Sequence, residues 1–136
     1  MSLSHAKEIA WSHWRCLNDG DIEASLEPLN DAGTWWNISR RTPTPMRDFK
    51  DTIRGALGVI PIRFTLHSAI EEDDRVLLEL ESHASLPGGA TYNNVYCFVC
   101  TLWGDSVLHV REYFDNKTLD VLLAALAEER AKLGSA

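Results

Sequence analysis

No run of basic residues occurs in this chain, and acidic side chains outnumber basic ones by 20 to 13, for a net charge of −7. Phosphate binding needs a basic patch, so the charge pattern argues against nucleic acid as a partner. No apolar run reaches the roughly 20 residues of a membrane-spanning helix, and no basic-then-apolar leader opens the chain. Neither a membrane nor a secretory route is therefore expected. Cysteine is scarce as well: Cys16, Cys97 and Cys100 are the only three, and three cannot all pair within one chain. Cys97 and Cys100 have the spacing of a redox or metal pair but fall inside an apolar, strand-like run, where residues three apart point to opposite faces. All three read as small buried hydrophobes, which suits a reducing cytoplasm. Internal repeats, low-complexity segments, linkers and nucleophile motifs are also missing.

What is present is a globular composition: 45% hydrophobic residues, five tryptophans, and 136 residues in all, enough for one core but not two. A single domain over 1–136 is expected. Ser4 can cap a helix running to about Asn18, with Ala6, Ile9, Ala10, Trp14 and Leu17 at helical spacing. Asn18-Asp19-Gly20-Asp21 breaks it, and a short second helix follows through Ile22, Leu26 and Leu29. Residues 34–38 look like a brief strand. Thr44-Pro45 opens a third helix, since proline suits the first helical position, and Gly58 ends it.

After Pro61 the hydrophobic period changes from helical to alternating, and four strands are expected near 62–70, 75–86, 91–103 and 106–115. The short links between them, Glu71 to Asp74, Pro87 to Ala90 and Gly104-Asp105, make an antiparallel meander. A last helix over about 117–132, capped by Asp115 or Asn116, carries Leu119, Leu122, Leu123 and Leu126 on one side. Helices, then an antiparallel sheet, then a closing helix give an α+β class.

The fourth strand carries the most informative residue. Alternation places Leu108, Val110, Glu112 and Phe114 on one face, and His109, Arg111, Tyr113 and Asp115 on the other. Glu112 is then the lone carboxylate in an apolar row. Burying it costs free energy unless it is paired, hydrogen-bonded or protonated, and such costs are tolerated where the group has chemistry to do. The alternative is a rim position that reaches water.

Gly89-Ala90-Thr91-Tyr92-Asn93-Asn94-Val95-Tyr96 and Arg111 to Asp115, together with Asn18 to Asp21 and Thr34 to Asn37, resemble motifs of the SnoaL-like branch of the nuclear transport factor 2-like superfamily. The resemblance spans nearly the whole chain. It implies a cystatin-like α+β roll, in which N-terminal helices pack on a strongly curved antiparallel sheet around a conical pocket and a C-terminal helix follows. It also implies a homodimer through the outer sheet face. The fold hosts isomerases, cyclases, dehydratases, epoxide hydrolases and inert binding modules, so it does not itself name a reaction.

Laid over the limonene epoxide hydrolase pattern, the chain matches without a gap from about Val76 to Asp115. The water-activating carboxylate falls on Glu112, the second catalytic carboxylate on Glu81 and the water-holding Asn on Asn37. The family's catalytic Arg falls on Glu79 and its active-site Tyr on Trp35. Without that Arg, epoxide hydrolysis is not expected. The overlay puts Trp35, Asn37, Glu79, Glu81, His83, Tyr92, Asn94, Tyr96, Phe98, Glu112 and Phe114 on the pocket face. Glu112 would be the base, Glu79 or Glu81 a neutral hydrogen-bond donor, and Tyr96 or His83 an assistant.

Alternation alone reads the second strand the other way, burying Val76, Leu78 and Leu80 and leaving Glu79, Glu81 and His83 in water. Under the overlay, Leu78, Leu80, Val99, Trp103 and Tyr113 would form an outer face for the dimer. Neither a metal nor a cofactor is expected, although Glu79, Glu81 and His83 at alternating positions resemble ligands on one strand face. His5, His13, His67 and His109 have no ligand spacing and read as surface, core or interface residues. The expected ligand is a small hydrophobic carbonyl or enol compound, handled by an acid–base enzyme or held by a non-catalytic module.

Overall fold

A computed structural model describes residues 2–134. Helix α1 spans His5–Asn18, and the Ser4 hydroxyl oxygen caps it by accepting the Lys7 N–H at 3.3 Å. Gly20, at a φ of 79°, lets the chain turn into α2, Ile22–Leu26, which Asp21 caps through the Ala24 N–H at 3.0 Å. Strands β1 (Leu29–Asn37) and β2 (Pro43–Pro45) come next, and then α3 (Met46–Leu57). Strands β3 (Arg63–Glu72), β4 (Arg75–Ser85), β5 (Thr91–Trp103) and β6 (Ser106–Phe114) form the meander, and α4 (Asn116–Gly134) closes the chain. Asp115 caps α4, its Oδ1 accepting the N–H groups of Lys117 and Thr118.

The six strands form one sheet in the order β2-β1-β6-β5-β4-β3, with β1 parallel to β6 and every other pair antiparallel. The sheet is thus mixed, not purely antiparallel as expected, and it is open. The first strand is also longer than the five residues read from the sequence. Asn30-Asp31-Ala32-Gly33 looks like a loop, yet it belongs to β1 and runs beside β6.

Gly33 makes this approach possible. A Cβ there would lie 1.5 Å from the Leu108 carbonyl oxygen, so no other residue fits without moving the backbone. The β6 partner is itself irregular: His109 pairs Thr101 and Val107 pairs Leu102, leaving Leu108 as an extra residue. The bulge turns Val107 into the core, at 1% exposure, in place of the expected Leu108.

Registered partners in a sheet share a face. One row crosses four strands as Leu78, Phe98, Glu112 and Asn37, and its neighbour runs Leu80, Tyr96 and Phe114. A third row holds Val76, Cys100, Val110 and Trp35. Helix α1 packs against β3 to β6, α3 against β1 and α4 against β5. Leu78, Leu80 and Phe98 are at most 1% exposed, and burial of each such side chain contributes roughly 1.5–3 kcal/mol.

The opposite face carries the rows Glu79, Cys97, Tyr113 and Leu77, Val99, Arg111, Trp36. Plain alternation thus reads β4 correctly and the overlay reverses it. Leu78 and Leu80 are core residues rather than part of an outer apolar face. Cys97 and Cys100 do point to opposite faces, and burial pushes the Cys100 thiol up to about 12. Among the described residues no helix is long and apolar enough to cross a membrane.

Candidate functional site

The helix-covered face of the sheet and the helices over it border an open cavity of about 250 Å³. Its walls are mainly aromatic and aliphatic. Trp35 stacks on Phe49 with centroids 4.4 Å apart, Tyr96 stacks on Phe98 at 5.3 Å, and Trp14 leans on Phe98 at 4.3 Å. Ile53, Leu57, Leu119, Leu122 and Leu126 complete the helical side.

Among the described residues Glu112 is the only carboxylate in this lining. The parallel pairing of β1 with β6 sets Asn37 opposite Glu112, and Trp35 lies two residues back on the same face. From there the indole Nε1–H donates to Glu112 Oε1 at 2.8 Å. Glu112 is half-buried as a residue, and its carboxyl is surrounded by protein. Burial raises its pKa to about 7, against the smaller downward pull of the Trp35 hydrogen bond.

Two tyrosines stand at one end of the cavity, but their protons are committed inward. Asn94 Nδ2 donates to the Tyr92 hydroxyl at 2.9 Å, and the Tyr96 hydroxyl donates to Ser82 Oγ at 3.0 Å. The 2.9 Å contact between the two phenols therefore uses the Tyr92 proton. Burial pushes both phenol pKa values up. Asn94 is fully engaged too: Nδ2 also reaches the Asp115 carbonyl at 3.1 Å, and Oδ1 accepts the N–H groups of Val95 and Asp115. It ties β5 to the end of β6 and does not line the cavity.

Trp35, Asn37, Tyr92, Tyr96, Phe98, Glu112 and Phe114 thus come together around one space, as the sequence suggested. Glu79, Glu81 and His83 do not. They lie on the far side of the sheet, because Glu79 pairs Cys97 and Glu81 pairs Val95 in the β4–β5 register. There Glu81 accepts hydrogen bonds from Asn93 at 2.8 Å and lies 2.8 Å from His67 Nε2, and these two contacts lower its pKa. His83 stands 3.9 Å from the same carboxylate. No cluster of three carboxylates exists in the cavity. Among the described residues no group of three His, Cys, Asp or Glu side chains is arranged to hold a metal ion.

Asn37 turns its Oδ1 to the Arg40 N–H at 2.9 Å, which fixes the amide orientation at the cavity edge. The helical side of the lining escaped the sequence reading, His13, Phe49 and Thr52 included, as did Phe64 on β3. For His13 a signal existed, since it falls within the apolar stripe of α1 between Ala10 and Trp14.

No protein-family model matches the chain, and no curated protein sequence matches it. Solved structures do. An LEH-like epoxide hydrolase from M. tuberculosis superposes with a TM-score of 0.73 at 18% identity, covering 90% of this chain and 92% of that one. A structure assigned to the SnoaL-like polyketide cyclases, from Shewanella putrefaciens, gives 0.73 at 15% identity over 90% of this chain and 88% of the other. An NTF2-like protein of unknown function from Burkholderia pseudomallei gives 0.72 at 14% identity over 90% and 98%. Identities this low establish architecture only: helices on an open six-stranded mixed sheet with a closing helix, which is the nuclear transport factor 2-like fold.

Proposed function

We propose that this chain is an acid–base catalyst of the isomerase or cyclase kind, acting on a small, largely apolar ring compound with a carbonyl or enol. One observation carries the reading: a single carboxylate, Glu112, lies in an aromatic cavity with its pKa raised to about 7 and one oxygen held by Trp35. A base poised near the working pH can take a proton from carbon beside a carbonyl and return it elsewhere on the same molecule. The indole N–H fixes the carboxylate orientation without neutralising it. Small-molecule sites generally combine apolar walls with a few placed polar groups, and this cavity fits that description. At about 250 Å³ it lies just under the usual range of roughly 300–1,000 Å³, which favours one or two rings over a larger polycycle.

The tyrosine protons are engaged and the other carboxylates lie outside, so no second acid beside Glu112 is offered to a developing oxyanion. That observation favours a second reading, in which the cavity holds a hydrophobic metabolite without transforming it. Hydrogen–deuterium exchange at the α-carbons of 2-tetralone, followed by NMR in D2O, separates the two. The catalytic reading expects acceleration by about 10²-fold or more over buffer, lost in Glu112→Gln. Binding of 2-tetralone with no acceleration supports the module.

The same proposal includes a homodimer through the outer face, where Val95 is 59% and Trp103 70% exposed around Val99 and Tyr113. It also includes a reducing cytoplasmic setting, consistent with three free cysteines.

A further inference from the structure

His13 is 2% exposed and packs edge-on against Trp14 and Trp35, with ring centroids 4.9 and 5.7 Å away. Its Nδ1 lies 2.8 Å from the Ser25 carbonyl oxygen. A carbonyl can only accept, so Nδ1 carries the proton, and in the neutral ring Nε2 is then a bare acceptor. Burial keeps the ring neutral, lowering its pKa to about 4.

Nε2 has no protein partner among the described residues. Yet among those residues no side-chain nitrogen or oxygen sealed from solvent lacks a hydrogen bond. The two facts agree only if Nε2 opens into space, and the space His13 borders is the aromatic cavity. An acceptor facing apolar walls is stabilised by whatever brings it a proton.

We propose that His13 Nε2 is a ligand-binding acceptor that selects compounds bearing a hydroxyl on the ring, phenolic or enolic, with its geometry fixed by Ser25. This rests on the reading of the cavity as a ligand site and names the substrate class for it. Glu112 and His13 then divide the work. Glu112 changes its proton count near neutrality, whereas His13 stays an acceptor across that range and holds the ligand by its O–H.

The test compares 2-naphthol with naphthalene by equilibrium dialysis at pH 7, using the wild type, His13→Asn and Glu81→Gln. Asparagine can keep the donor to Ser25 but has no atom in the Nε2 position. The wild type is expected to prefer 2-naphthol by about three- to tenfold, the worth of one neutral hydrogen bond. His13→Asn is expected to lose that preference while still binding naphthalene, and Glu81→Gln, behind the sheet, to retain it. In parallel, nitrogen-15 NMR of the wild type should show His13 Nε2 unprotonated and shifting when 2-naphthol is added, a readout that does not depend on the variant folding. A preference that survives His13→Asn, or a proton found on Nε2, overturns the assignment. Equal binding of both probes by the wild type overturns it while leaving the pocket intact. Failure of the wild type to bind either probe overturns the ligand-site reading and this inference with it.

Discussion

Trp35 and Glu112 are 77 residues apart in sequence and joined by one hydrogen bond of 2.8 Å, from indole Nε1–H to carboxylate Oε1. The donor sits on β1 and the acceptor on β6, so the bond exists only because these strands pair in parallel. Tryptophan can donate but not accept, so it holds the carboxylate without supplying a proton path of its own.

The Glu112 contribution to stability should fall as pH rises from about 4.5 to about 7, the ordinary and the folded pKa of that group, while His13, whose pKa burial lowers from 6.5 to about 4, contributes in the opposite sense. A carboxyl whose pKa is raised by folding holds its proton more tightly in the native state. At this site the unfolded chain binds fewer protons in that window, and the contribution of Glu112 declines through it, which the difference between variant and wild type isolates. Glu112→Gln removes this titration while keeping the shape and the Trp35 donor. Urea unfolding should find the variant more stable than the wild type at pH 8, by on the order of 3 kcal/mol before any relief from water in the cavity, and nearly equal at pH 4. A constant difference at both pH values would show a solvated carboxylate.

Trp35→Phe should raise the Glu112 pKa further, because the only interaction pulling it down is the indole hydrogen bond. Phenylalanine can keep much of the stack on Phe49. Carbon-13 NMR of labelled glutamate reads the titration directly, and a midpoint unchanged or lower would contradict the role given to Trp35.

Glu79→Gln and Glu81→Gln should leave ligand binding and proton exchange unchanged, since both side chains lie behind the sheet. Loss of either activity in Glu81→Gln would place that carboxylate back in the site.

Gly33→Ala should be strongly destabilising, by several kcal/mol, because its Cβ would overlap the Leu108 carbonyl oxygen. Calorimetry of the purified variant measures this; a melting point close to that of the wild type would mean that the β1–β6 seam yields easily.

Trp103→Glu combined with Val95→Glu should give a monomer by analytical ultracentrifugation if the outer face joins two copies. A wild type already monomeric at micromolar concentration would refute the dimer.

Much of this was legible in the sequence, for identifiable reasons. The β6 alternation placed Glu112, and the short turns gave the meander, because period and turn chemistry are local properties. Alternation also read Val76, Leu78 and Leu80 correctly. The gapless overlay failed on β4 because registered partners must share a face: with Tyr96 inside, Leu80 is inside, and a one-residue slip moves a whole strand to the other side. The residues 30–33 carry no alternation, so their pairing with β6 had no local signature. His13 was hidden differently. A helical stripe shows which side is covered, but not whether core or cavity covers it.

The parallel seam also bears on the order of assembly. The hairpins of β3 to β6 close loops of a few residues, whereas β1 must find β6 across most of the chain, and such distant contacts carry the larger loop-closure cost. By loop-closure cost, the contact of Trp35 with Glu112 is expected to form after the hairpins of the meander. A molecule that fills the cavity recognises the finished chain alone and shifts the equilibrium toward it by mass action. Occupancy of the cavity is therefore a report on complete folding, and a partly folded chain with an intact meander would be blind to the ligand.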